Sequence, residues 1–126
     1  MATSLFQIVE LALCAILLLA AGCAKDPGPP PPLASQQIPV ELEKVFKNAK
    51  QDTKDLVAKI SSSLQAKDFP AAYDAVQALG NVPDATTEQR KMAARAMLTI
   101  YGLLQSAQDQ GDDKAAAALR YHQMTK

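Results

Sequence analysis

The chain has 126 residues, no Trp, one His and two Cys. A four-ligand zinc site or a disulfide scaffold needs more His and Cys than that, so no metal site is expected. A surplus of one charge is missing too: 13 Lys and Arg face 13 Asp and Glu, with a pI near 6.5. A nucleic-acid binder needs a basic excess to displace counterions from phosphates, which sets that class aside. Val and Ile together supply 11 residues against 23 Ala, and no alternating run is bounded by turn residues. No sheet is expected; the bias is helical.

Signs of catalysis are equally scarce. The five glycines form no phosphate-cradling loop,. Ser61-Ser62-Ser63 lacks the Gly neighbours of a nucleophile elbow, and hydroxyls there can bond a carbonyl one turn back,. Asp109, Asp112 and Asp113 lack the Glu that closes an EF-hand loop, and two of them are better read as capping or flanking a helix start,. The lone His122 falls in the last turn of the last expected helix, where the macrodipole favours a cation,. Neither an enzyme nor a cofactor is expected.

What is present is an uncharged apolar run, Leu11 to Gly22, followed by Cys23. It has the length of a signal-peptide core and falls short of the ~20 residues a bilayer span needs. Its end, Ala20-Ala21-Gly22-Cys23, resembles the lipobox of bacterial lipoproteins. The resemblance implies cleavage between Gly22 and Cys23, with acyl chains on the Cys23 thiol and on its freed amine. Two or three chains anchor stably, at roughly 0.8 kcal/mol per buried CH₂. Ala24, rather than Asp, follows the Cys, which by the same resemblance favours the outer membrane of a Gram-negative cell, facing the periplasm. The alternative is an uncleaved anchor from Leu5 to Ala24, which would carry Glu10 into hydrocarbon at about 2–3 kcal/mol.

Six of the eight prolines lie between Lys25 and Pro39. Pro29 to Pro32 suit a short polyproline II rod, so residues 23–39 read as a disordered, Pro-rich tether reaching at most ~45 Å. The expected division is a signal peptide over 1–22, the lipidated Cys and tether over 23–39, and a helical domain over 40–126.

Within that domain Leu42, Val45, Phe46, Ala49, Thr53, Leu56, Val57, Ile60 and Leu64 recur at helical spacing. One long helix of ~37 Å is expected there. Asp68 and Pro70 open a second helix that Gly80-Asn81 stops; Thr86 and Gln89 make a capping box for a third, which Gly111 ends,. Asp112 caps a fourth through His122. The fold class is all-α, with about four helices as two antiparallel hairpins. An offset of 44 aligns Ile60 with Leu104, Ser63 with Ala107 and Asp68 with Asp112. The stretch from Ala66 to Leu79 resembles the second half of a tetratricopeptide repeat, and that resemblance implies helical hairpins packed side by side. Phe46, Ile60, Phe69, Val76, Ile100 and Leu104 should supply most of the core.

A candidate partner surface comes from charge and phase. Lys47, Lys50 and Lys54 fall on one border of the first helix's apolar face, whereas Glu41, Asp52 and Asp55 fall on the other,. Leu98 projects off the apolar arc of the third helix, and Tyr101 sits at its margin. The chain thus reads as a lipid-anchored envelope protein whose helices bind an envelope protein partner. A self-associating structural lipoprotein is the alternative; sustained heptads with flanking charges are absent.

Overall fold

The computed structural model describes Gly28 and residues 30–126. The expected signal peptide, its Gly22–Cys23 cleavage point and the lipidated Cys23 lie outside the described residues. Five helices follow a 3₁₀ turn at Ser35–Gln37: α1 (Ile38–Val45), α2 (Gln51–Gln65), α3 (Phe69–Gly80), α4 (Thr87–Asp109) and α5 (Asp113–Met124). No strand occurs among the described residues, and no helix there is long and apolar enough to cross a membrane.

The helix ends are where the side-chain chemistry puts them. The Asp68 carboxylate accepts from Ala71 N, with Pro70 in the first turn of α3. Thr86 Oγ1 accepts from Gln89 N, while Gln89 Oε1 accepts from Thr86 N, which closes the capping box,. Gln89 also donates from Nε2 to Val45 O at 3.3 Å, so the residue that caps α4 holds the end of α1 as well.

The turn joining α2 to α3 is rebuilt, 44 residues later, between α4 and α5. Asp68 N donates to Ser63 O and Lys67 N to Leu64 O; Asp112 N donates to Ala107 O and Gly111 N to Gln108 O. Both are Schellman closures, and both put a left-handed residue at the corner, Lys67 at φ 55 and Gly111 at φ 90,. Each Asp then caps the next helix, Asp112 accepting from Lys114 N and Ala115 N. The repeat seen in the sequence is a repeated helix–turn–helix. Lys67 occupies a conformation that Gly111 adopts without strain.

One expected helix is two. The chain leaves helical geometry after Val45, and Phe46 has φ −99° and ψ 11°. It re-enters at Gln51 after an extended Lys50 whose side chain makes no cap bond. The apolar phase hides the break. Ile38, Leu42, Phe46, Thr53, Val57 and Ile60 are all buried at spacings a continuous helix would share,. The break lets α1 pack on both α2 and α4.

α3 is the hub, packed against α2, α4 and α5, whereas the backbones of α2 and α4 make no close approach. Ile60, Val76, Ile100 and Leu104 are fully buried and Phe46 nearly so, as the pattern required. Phe69 is only half-buried; Ile38, Leu42 and Leu79 take its place in the interior.

The domain also begins earlier than residue 40. Leu33 is 5% exposed and Ile38 is fully buried, although both fall in the stretch read as tether. Arg95 Nε donates to Pro31 O at 2.8 Å, and Thr99 Oγ1 donates to Leu33 O. The segment from Pro31 to Gln37 is thus a strap bound along α4. A Pro-rich chain cannot satisfy its carbonyls within itself, so α4 supplies the donors.

Two outcomes follow for stability. Ile60→Ala or Ile100→Ala should cost 2–5 kcal/mol, roughly a small domain's total, while Leu98→Ala should stay near wild type. Helical circular dichroism against temperature reads all three; equal damage from Leu98→Ala would place Leu98 in the core. Deleting residues 25–30 should leave the thermal midpoint unchanged, whereas deleting 25–37 should lower it markedly, through lost burial of Leu33 and loss of the hydrogen bonds from Arg95 and Thr99.

Candidate functional site

Lys47 and Lys54 line one surface groove of about 290 Å³, together with Glu43, Phe46, Val57 and Ala58. The groove exists because the α1–α2 break sets the end of one helix beside the start of the next. Phe46 and Val57 are 1% and 3% exposed, so they form a floor with little apolar area open to solvent. Both lysines are exposed, and neither pairs with an acid among the described residues. The Glu43–Lys47 and Asp55–Lys59 pairs that their i, i+4 spacing would allow are not formed; Asp55 Oδ1 instead accepts from Gln51 Nε2 at 2.9 Å,. Two cations and the Glu43 carboxylate surround the apolar floor, and the net positive charge suits an acidic segment or headgroup better than a small neutral ligand,.

Lys50 does not join them. Its Nζ lies 2.8 Å from Asp84 Oδ2, across a cleft shared with Asn48, Thr53, Val82, Thr86 and Gln89. The Lys50 hydrogen bond, then Asp84's own backbone N–H and the Lys50 charge, hold the Asp84 carboxyl below the usual carboxylate range, and Asp84 raises Lys50 in return. The pair closes the α1–α2 turn onto the α3–α4 loop at the protein surface, where it is screened. Lys50 is a structural tie and its charge is spent locally.

Leu98 and Tyr101 also diverge. Leu98 is 51% exposed, a large apolar side chain standing off the core on the outer face of α4. Tyr101 is half-buried, its ring 5.8 Å from that of Tyr73. Tyr73 in turn meets His122 edge-on at 4.6 Å, and His122 meets Tyr121 at 5.6 Å. Burial, followed by the nearby Tyr101 hydroxyl, pushes the Tyr73 phenol up. His122 Nε2 sits 3.3 Å from Asp74 Oδ1, and the His side chain is 12% exposed. The His122 side chain is therefore turned in against α3 rather than out to solvent. Nothing in the sequence near position 122 pointed to Tyr73 and Asp74, because the contact spans two helices.

The five residues read as one partner surface lie in separate places: Lys47 and Lys54 in the groove, Lys50 in its ion pair, Leu98 and Tyr101 on α4. The serine run behaves as expected, Ser61 Oγ and Ser62 Oγ donating to Val57 O and Lys59 O. Among the described residues no cluster of three or more His, Cys, Asp or Glu is placed to hold a metal ion. Comparison of the chain with family models, curated proteins and solved structures finds no match.

The tie between Lys50 and Asp84 has a defined pH window. The lowered Asp84 contributes stability that is in place above its unfolded pKa and is lost as pH falls through its folded value. The raised Lys50 contributes stability that is in place below its unfolded pKa and is lost as pH rises through its folded value. Asp84→Asn should therefore lower the thermal midpoint slightly at neutral pH. The gap from wild type should close in strong acid and in high salt, and a gap that persists in high salt would contradict a screened surface pair.

Proposed function

We propose that the chain is a lipid-anchored protein of the bacterial envelope whose helical domain is a non-catalytic interaction module. The observation that carries the anchor is the apolar run ending in Ala20-Ala21-Gly22-Cys23. A peptidase that must close on the backbone favours small residues at 21 and 22, and the thiol of Cys23 is the acceptor for lipid. Acyl chains there tie the protein to the membrane, and Ala24 after the Cys favours the outer membrane, facing the periplasm.

For the domain, the reading is a tetratricopeptide-like pair of antiparallel hairpins, α2–α3 and α4–α5. The repeated Schellman turn supports it, since the same corner reverses the chain twice. Such hairpins present helix faces rather than reactive groups. The lysine groove suits an acidic stretch of an envelope protein partner, with Lys47 and Lys54 at its rim and Phe46 and Val57 beneath,.

Mass spectrometry of the membrane-extracted protein should show loss of residues 1–22 and added acyl mass on Cys23. A species retaining Met1 would replace the lipoprotein with an uncleaved anchor. For the module, crosslinking in cells from position 47 or 54 should capture one discrete partner, and Lys47→Glu with Lys54→Glu should abolish the capture. A stable homo-oligomer of the unlipidated domain, with no other protein captured, would favour the self-associating structural role.

A further inference from the structure

We propose that the outer face of α4 is the surface this domain turns toward the bilayer, with Leu98 entering the headgroup layer and Lys91 and Arg95 meeting anionic lipid. The inference rests on the lipid-anchor reading and deepens it by assigning an orientation.

The strap supplies the constraint. Pro31 and Leu33 are fixed to Arg95 and Thr99, and Leu33 is buried, so the chain joins the folded domain at the middle of α4. Seven Cα steps separate Cys23 from Pro30, a reach of at most about 25 Å. A domain of this size has a radius of gyration near 13 Å, so its far side is roughly 50 Å away around the surface. An anchor at Cys23 therefore cannot present the opposite face to the membrane that holds it. α2 meets the strap side through Ser61, Leu64 and Gln65, which line one pocket with Ser35, Gln36 and Leu103, whereas Lys59 lies roughly 120–160° away from those three around the helix,.

The residues beside the attachment suit an anionic surface. Lys91, Arg95, Leu98 and Gly102 recur at spacings of four, three and four and share one stripe of α4,. Lys91 and Gly102 are exposed, Arg95 is half-exposed, and Leu98 is among the most exposed large apolar side chains described. A Cβ added at Gly102 would meet nothing within 4 Å, which leaves the stripe flat where headgroups would approach. Glu88 opposes this one turn before Lys91, so the attraction is centred on the 91–98 segment. Two basic residues and one Leu are too few to hold a free protein on lipid. With the anchor already supplying a high effective concentration, they suffice to bias the orientation.

The full chain provides a clean test. Cleavage removes Cys14 and acylation blocks Cys23, so an introduced cysteine becomes the one reactive thiol. Leu98→Cys and, on α2, Lys59→Cys are labelled with an environment-sensitive fluorophore. The lipidated proteins are reconstituted into vesicles of phosphatidylglycerol and phosphatidylethanolamine, and their acyl mass is checked on the same samples. The probe at 98 should shift to the blue and lose emission to brominated acyl chains, while the probe at 59 should do neither. Lys91→Glu, high salt or neutral phosphatidylcholine should reduce the quenching at 98. An acylated protein whose probe at 98 reports water, or whose two probes respond alike, overturns the orientation and leaves the anchor intact. A blue shift without bromine quenching overturns it in favour of a protein contact. A chain without acyl mass overturns the anchor itself, and the orientation with it.

Discussion

How closely other helices can approach α3 sets the dimensions of the whole domain. Three helices converge on it, and Ala72, Tyr73, Ala75, Val76 and Leu79 are buried along its twelve residues. Two of these are alanines, and α4 answers with buried Ala93, Ala96 and Ala107. Small side chains bring backbones together and extract more dispersion energy per turn, yet each removes little apolar area from water. The large residues must then be placed without waste, which is why Ile60, Ile100, Leu79 and Leu104 have no exposure at all. Enlarging a buried alanine on α3 would push the helix packed on it outward, an overpacking cost of about 1–3 kcal/mol.

Around that hub the chain uses one corner twice. Ser63 to Asp68 and Ala107 to Asp112 make the same pair of backbone bonds and then the same Asp cap. The second copy has Gly where the first has Lys, so the left-handed position is imposed by the motif rather than by the residue occupying it. Local chemistry of this kind was legible in the sequence. Asp68 with Pro70, Thr86 with Gln89, and Gly111 before Asp112 each announce an end through groups a few residues apart.

The features that could not be read share a different cause. The α1–α2 break keeps the buried positions in helical phase from Ile38 to Ile60, and Lys50 carries no cap, so neither periodicity nor capping marks it. Pro31 to Gln37 has the composition of a spacer, and only the donors of Arg95 and Thr99, more than 60 residues away, convert it into a strap. His122 has the same history, its partners Tyr73 and Asp74 being held by another helix. The candidate surface fared accordingly. Exposure of Lys47, Lys54 and Leu98 followed from helical phase, but the pairing of Lys50 with Asp84 needed a loop the phase does not describe.

The strap also determines how tension would travel through the molecule. A pull on the chain's beginning would not arrive at the tip of the first helix, where a helix end peels apart one turn at a time. It would arrive at the centre of α4, through two side chains one turn apart and a buried leucine. The load is shared between those contacts before any helix feels it, and α4 passes it on to α1, α3 and α5 together. Under strain the strap acts as a fuse. It would part first, lengthening the leash by several residues while the five helices stay folded.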